Sequence, residues 1–228
     1  MVKRGFRRRA SDAYGHGRKF RQMIFALLAL AALSLPSVAQ ARKLHIVALG
    51  DSLTAGYNLP ADAAFPAVLQ KALREKGYDV VIDNAGVSGD TSGGARERLD
   101  WTVADGADGV ILEIGANDML RGLNPDISRD NIDAILSRLR EKKIPVLVAG
   151  MVTAPNLGAD YAAQFNPIYP ELAKKYSAPL YPFFLDGVAG HKDRQLPDGL
   201  HPNRQGVETI VAGILPVVTS WLDGLNRP

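Results

Sequence analysis

Short apolar runs recur along this chain at regular intervals. Leu44–Leu49, Val80–Ile82, Gly109–Ile114 and Pro145–Gly150 have strand length, and Pro179–Phe184 is a weaker run. Between them, apolar positions fall at helical spacing. Phe65, Val68, Leu69 and Ala72 share one face of a helix over Asp62–Lys76. Ile132, Ile135, Leu136 and Leu139 share a face over Ile127–Lys142, with charges opposite. Asp160–Tyr176 and Gln205–Leu222 read the same way, and Thr91–Ala104 more weakly. Strands this continuously apolar are buried on both faces. Their alternation with helices predicts βα units, and hence an α/β fold with a parallel sheet covered on both sides. No internal repeat, low-complexity tract or linker interrupts the pattern.

The first forty or so residues stand apart. A basic lead containing Arg7, Arg8 and Arg9 precedes the apolar stretch Met23–Leu35, which Pro36 breaks, and Ala39-Gln40-Ala41 is a small-x-small cleavage site. This is the pattern of a secretory signal peptide over residues 1–41, too short in its apolar part to span a membrane. Residues 42–228 then form a single domain. The leader changes the charge balance as well. It holds eight of the 27 Lys and Arg but only Asp12 among the 24 acids, so the remainder carries 19 basic against 23 acidic side chains, a formal charge of −4 in place of +3. The high overall pI therefore predicts no nucleic-acid partner, which would need a basic face on the folded domain. The absence of cysteine excludes disulfides and thiolate metal sites.

In open α/β sheets, sites collect beyond the carboxyl ends of the strands. The strand-end segments here are Gly50-Asp51-Ser52, Asn84–Thr91, Gly115-Ala116-Asn117-Asp118 and Met151–Pro155, with Pro197-Asp198-Gly199-Leu200-His201-Pro202 near the end. A serine hydroxyl becomes a nucleophile only with a base in hydrogen-bond reach and a group that holds that base. His16 leaves with the leader, His45 reads as packed in the first strand, and His191 sits in a polar loop. His201 remains, three residues after Asp198. Alone, that pair also fits a capped helix start with a bystander histidine. Two serines compete for the nucleophile. Ser88 lies in Gly86-Val87-Ser88-Gly89, close to a Gly-x-Ser-x-Gly elbow whose second glycine comes one position too early. Gly86 and Gly89 read instead as places of close backbone approach. Ser52 follows the first strand. Its own N–H, the Gly89 N–H and the Asn117 amide can offer donors to an oxyanion. No metal-ligand cluster and no phosphate-binding glycine loop is present in the sequence.

Ser52, Gly89, Asn117 and His201 occur in that order within "ALGDSLTAGY", "NAGVSGDTSGG", "LEIGANDMLRG" and "LPDGLHPNRQG". The chain resembles the SGNH, or GDSL, hydrolase superfamily, along almost the whole length after the leader. It is similar to the group of bacterial thioesterases I, lysophospholipases L1 and arylesterases. The resemblance implies a flavodoxin-like three-layer α/β/α sandwich of about five parallel strands. It implies Ser52 as nucleophile, His201 as base and Asp198 as its orienting carboxylate. The oxyanion hole would come from Ser52, Gly89 and Asn117, with no cofactor.

The expected reaction is hydrolysis of carboxylic esters, with thioesters as a further class, through an acyl-enzyme. Asp118, Met119, Leu120 and Leu123 follow the asparagine block and are read as a lid and apolar wall for an acyl chain, with Pro155 opposite. The leader places the protein in the periplasm or outside the cell, in transient contact with membrane lipids. Small-molecule or lipid esters are the expected substrates. Two rival readings are a carbohydrate O-deacetylase of the same superfamily and a non-catalytic periplasmic binding module.

Overall fold

A computed structural model describes Met1 and residues 42–225. Apart from Met1, the signal peptide and cleavage site expected over residues 1–41 lie outside the described residues. All elements among the described residues belong to the unit Ala41–Pro228. Five strands form one sheet: β1 (Leu44–Gly50), β2 (Val80–Gly86), β3 (Gly109–Glu113), β4 (Val146–Ala149) and β5 (Leu180–Tyr181). Their order is β2-β1-β3-β4-β5, and every pairing is parallel. The predicted α/β class and strand number are therefore found. β3 is buried at every position, as a central strand covered on both faces must be.

The helices are α1 (Ser52–Ala55), α2 (Phe65–Glu75), α3 (Ser92–Thr102), α4 (Ala116–Leu120), α5 (Pro125–Glu141), α6 (Ala159–Phe165), α7 (Ile168–Tyr176) and α8 (Arg204–Leu225). α2 and α8 pack together, while α3, α6 and α7 pack on α5, which gives the two outer layers of the sandwich. Thr91 caps α3 by accepting from the Gly94 N–H, and Asn124 caps α5 with Pro125 at its start.

Several boundaries move for identifiable reasons. The helix predicted over Asp160–Tyr176 is two helices, because Pro167 has no N–H to continue the first. β5 shrinks to two residues ahead of Pro182. β2 runs four residues beyond its apolar part, since Asp83 and Asn84 lie on an exposed edge strand where burial no longer selects apolar side chains. That edge is closed by side chains. Gln70 accepts from the Ile82 N–H, and the Arg74 guanidinium donates to the Val80 carbonyl. His45, expected to be packed, instead lies half-exposed with Nε2 2.6 Å from Asp83 on the neighbouring strand.

The strand order reverses direction between β1 and β3. The segment carrying Ser52 follows β1 and the segment carrying Asn117 follows β3, so both flank the point where α/β sheets open a crevice.

Candidate active site

β1 ends at Gly50, and the next residue starts a single helical turn. Asp51 Oδ1 accepts from the Leu53 N–H at 2.9 Å, which caps α1 and sets Ser52 at its first position. Gly50 is required by its surroundings. A Cβ there would stand 2.1 Å from Thr54 Oγ1 and 2.7 Å from both the carbonyl and the carboxyl of Glu113.

The turn between β5 and α8 brings the histidine. Asp198 Oδ1 accepts from the backbone N–H groups of Leu200 and His201, at 2.9 and 3.0 Å. Its Oδ2 lies 2.7 Å from His201 Nδ1, and His201 Nε2 lies 2.9 Å from Ser52 Oγ. Partial desolvation pushes the Asp198 carboxyl up. The hydrogen bonds from His201 and Leu200 outweigh this and bring it down to about 2. Asp198 is thus an acceptor only, so Nδ1 carries the imidazole proton and Nε2 is left to accept from the Ser52 hydroxyl. The Tyr57 ring, centred 4.4 Å from the imidazole, lies against it. Asp-x-x-His is therefore a turn that folds back on its own ring rather than a helix start. Residues 149 apart in sequence meet here.

The opposite wall comes from β2 and β3. Gly89 has φ +84, a conformation that favours glycine, while the space where its Cβ would stand is open to 3.9 Å. The expected close approach holds at Gly86 and not at Gly89. Arg121 donates to the Gly89 carbonyl at 2.7 Å. Among the described residues, the Ser52 and Gly89 N–H groups donate to nothing. The Asn117 amide differs: its nitrogen donates to Asp51 Oδ2 at 3.1 Å and to the Asp90 carbonyl at 2.9 Å. Arg98 holds this corner, with its Nε 2.7 Å from Asp90 and its Nη2 donating to the Gly50 carbonyl.

The expected acyl wall needs correction. Asp118 is fully buried, and its carboxylate accepts from the Ser92 N–H and from the Ser92 and Ser128 hydroxyls, so it ties α3 to α5 and cannot meet a substrate. Met119 is buried too, with its sulfur accepting from the Ala154 N–H. Leu120 is exposed, Leu123 is half-buried, and Pro155 is exposed beside α4. Of the segment read as a lid, Asp118–Leu120 belongs to α4 and is anchored by two buried side chains, and the remainder is a turn.

Sequence reasoning assigned no role to Asp51, Tyr57, Asp90, Arg98, Glu113 or Arg121. Only Glu113 left a signal, as a carboxylate inside an apolar strand. Its Oε2 accepts from the Thr54 hydroxyl at 2.8 Å, while its Oε1 is buried without a partner among the described residues. Burial pushes this carboxyl well above its usual range, and the charge of Asp51 adds to that. A carboxyl whose pKa is raised by folding stabilises fully below its unfolded pKa and loses that contribution as pH rises. The melting temperature should therefore fall from about pH 5 to about pH 8, and Glu113→Gln should make the fall shallower. Thermal melts at the two pH values check this, and an unchanged slope would show that Glu113 ionises normally.

The model of the GDSL-like Lipase/Acylhydrolase family matches residues 48–208. The chain is 37% identical over 177 residues to an arylesterase of Vibrio mimicus, covering 77% of this chain and 88% of that one. It is 34% identical over 184 residues to the thioesterase 1/protease 1/lysophospholipase L1 of Escherichia coli strain K12, covering 80% and 83%. Among solved structures, AlinE4, an SGNH-hydrolase family esterase, is 44% identical with a TM-score of 0.67, covering 79% of this chain and 97% of that one. The family match runs from within β1 to the first turns of α8 and so takes in every strand end described above: this chain belongs to the GDSL-like lipase/acylhydrolase family, the SGNH hydrolases.

Proposed function

We propose that this protein is a serine esterase in which Ser52 is the nucleophile, His201 the general base and Asp198 the group that orients it. The observation that carries this reading is the imidazole suspended between the Ser52 hydroxyl and the Asp198 carboxylate, at 2.9 and 2.7 Å. His201 Nε2 takes the hydroxyl proton as Oγ attacks the ester carbonyl carbon. The carbonyl oxygen becomes an oxyanion that accepts from the Ser52 and Gly89 N–H groups and from the Asn117 amide. The intermediate collapses, the bond to the leaving oxygen breaks, and the imidazolium returns its proton to that oxygen. Water then repeats the sequence on the acyl-enzyme, releasing the acid and restoring Ser52.

The rim favours apolar esters. Apart from Trp101 and Ile127, every large exposed apolar side chain between residues 42 and 225 lies on a segment following a strand. They are Tyr57, Val87, Leu120 and Val152, with Leu200 between Asp198 and His201. An acyl or lipid chain gains by covering such surfaces. Among the activities named for the two relatives, arylesterase, thioesterase and lysophospholipase cleave ester or thioester bonds, which supports this reading. Lysophospholipids and short-to-medium acyl esters are accordingly the substrates of choice. The same reading takes residues 1–41 as an export leader and residues 42–228 as one catalytic domain acting in the periplasm or outside the cell.

A fluorophosphonate probe tests the reading. The wild-type protein is expected to be labelled and Ser52→Ala to be silent. An unlabelled wild type would make the protein a binding module. Hydrolysis of p-nitrophenyl octanoate faster than an acetylated glycan is expected, and the reverse order would make it an O-deacetylase.

A further inference from the structure

Asp51 is spent on a job that a simpler residue could do, if capping α1 were its only task. Serine, threonine or asparagine would accept from the Leu53 N–H equally well and without burying a charge. Burial pushes the Asp51 carboxyl up to about 6, against the pull of the Leu53 N–H, of His201 and of Asn117, and Asp90 adds to the rise. Glu113 faces it from below, its Oε2 3.4 Å from the Asp51 N–H. What a carboxylate supplies here is a second acceptor. Oδ1 is taken by Leu53, and Oδ2 accepts from Asn117. An asparagine has only one acceptor oxygen and would turn an NH₂ group toward one of these two donors.

The donor count on Asn117 sharpens the point. Its amide nitrogen has two N–H bonds, and both are engaged, one by Asp51 and one by the Asp90 carbonyl. An oxyanion on Ser52 can gain this donor only by displacing one acceptor. Asp51 is wholly buried beneath the nucleophile turn, whereas the Asp90 carbonyl belongs to the loop at the mouth of the site, directly after exposed Gly89. The displaceable partner is the carbonyl.

We propose that Asp51 is a positioning residue for the oxyanion hole: its Oδ2 holds one N–H of Asn117 and so fixes the planar amide, keeping the other N–H where the developing oxyanion can take it over from the Asp90 carbonyl. This rests on the reading of Ser52 as nucleophile. A fixed donor costs no reorganisation at the moment of reaction, and that is the source of oxyanion-hole catalysis.

A double-mutant cycle tests the proposal, with p-nitrophenyl butyrate hydrolysed at about pH 8, above the Asp51 ionisation. Asn117→Ala is expected to lower kcat by about 10²–10³. Asp51→Asn is expected to lower kcat by about 10–10², with KM moving less than about threefold, because the interaction lost is made in the transition state. In the Asn117→Ala background, Asp51→Asn should cost less than about threefold more, since nothing is left for it to position. Losses that multiply in the double variant would overturn the proposal. Asp51→Ser separates positioning from folding, since it keeps the cap but cannot reach Asn117. A wild-type melting temperature with a lowered kcat is expected, and a wild-type kcat would again overturn the proposal. Should Ser52→Ala retain activity, the esterase reading itself fails, which no result at Asp51 can imitate.

Discussion

Ser52→Ala is expected to lower kcat by about 10⁶-fold, leaving only what substrate binding and the oxyanion donors achieve with water. The expectation follows from the chain of contacts Asp198–His201–Ser52, at 2.7 and 2.9 Å, in which each member acts through the next. His201→Ala should therefore cost nearly as much, and the double variant no more than either alone. Asp198→Asn should cost about 10⁴-fold, because an amide facing Nδ1 favours the tautomer with its proton on Nε2, where the serine hydroxyl needs an acceptor. Initial rates on p-nitrophenyl butyrate measure all four. A Ser52→Ala variant within about tenfold of wild type would place the nucleophile elsewhere.

The second large effect is structural. Gly86→Ala is expected to destabilise the fold by about 3 kcal/mol or more. A Cβ at Gly86 would stand 2.2 Å from the Ala55 nitrogen, 2.6 Å from the Ala55 Cα and 2.8 Å from the Asp51 carbonyl oxygen. All three are backbone atoms, which cannot rotate away as a side chain can. They belong to the turn that carries Ser52, so relief must move the Ser52 hydroxyl away from His201. Displacements of about 1 Å can cost about 10² in rate, so kcat should fall together with stability. Gly89→Ala makes the comparison. Nothing there comes nearer than 3.9 Å, and only its φ of +84 is strained, at about 1–2 kcal/mol. Denaturant melts of both variants check the order. A Gly86→Ala protein as stable as Gly89→Ala would show that the β2 end and α1 separate easily.

The strand ends and their motifs were legible because each is local. Gly-Asp-Ser and Gly-Ala-Asn-Asp follow apolar runs that announce where a strand stops, whereas the Gly86–Gly89 segment starts beyond the apolar part of β2 and Asp-x-x-His stands in the long segment between β5 and α8, each marked by its own residue pattern. α1 and α4 were not legible, since helices of one turn leave no periodicity in the sequence. Arg98 was invisible for a different reason: on a weakly amphipathic helix it resembles any solvated charge, yet it is buried against Asp90 and the Gly50 carbonyl.

Asn117 and Asp118 show where the division falls. By itself the sequence determined a parallel sheet with polar segments at its strand ends, because strands buried on two faces must be written as apolar runs. It also placed both residues in one such segment. Only the tertiary structure decided that Asn117 turns toward Asp51 and Ser52 while Asp118 turns into Ser92 and Ser128. Neighbours on a helix point about 100° apart, and the rotation of α4 is set by distant partners that pack against it, such as the Ala154 N–H on the Met119 sulfur.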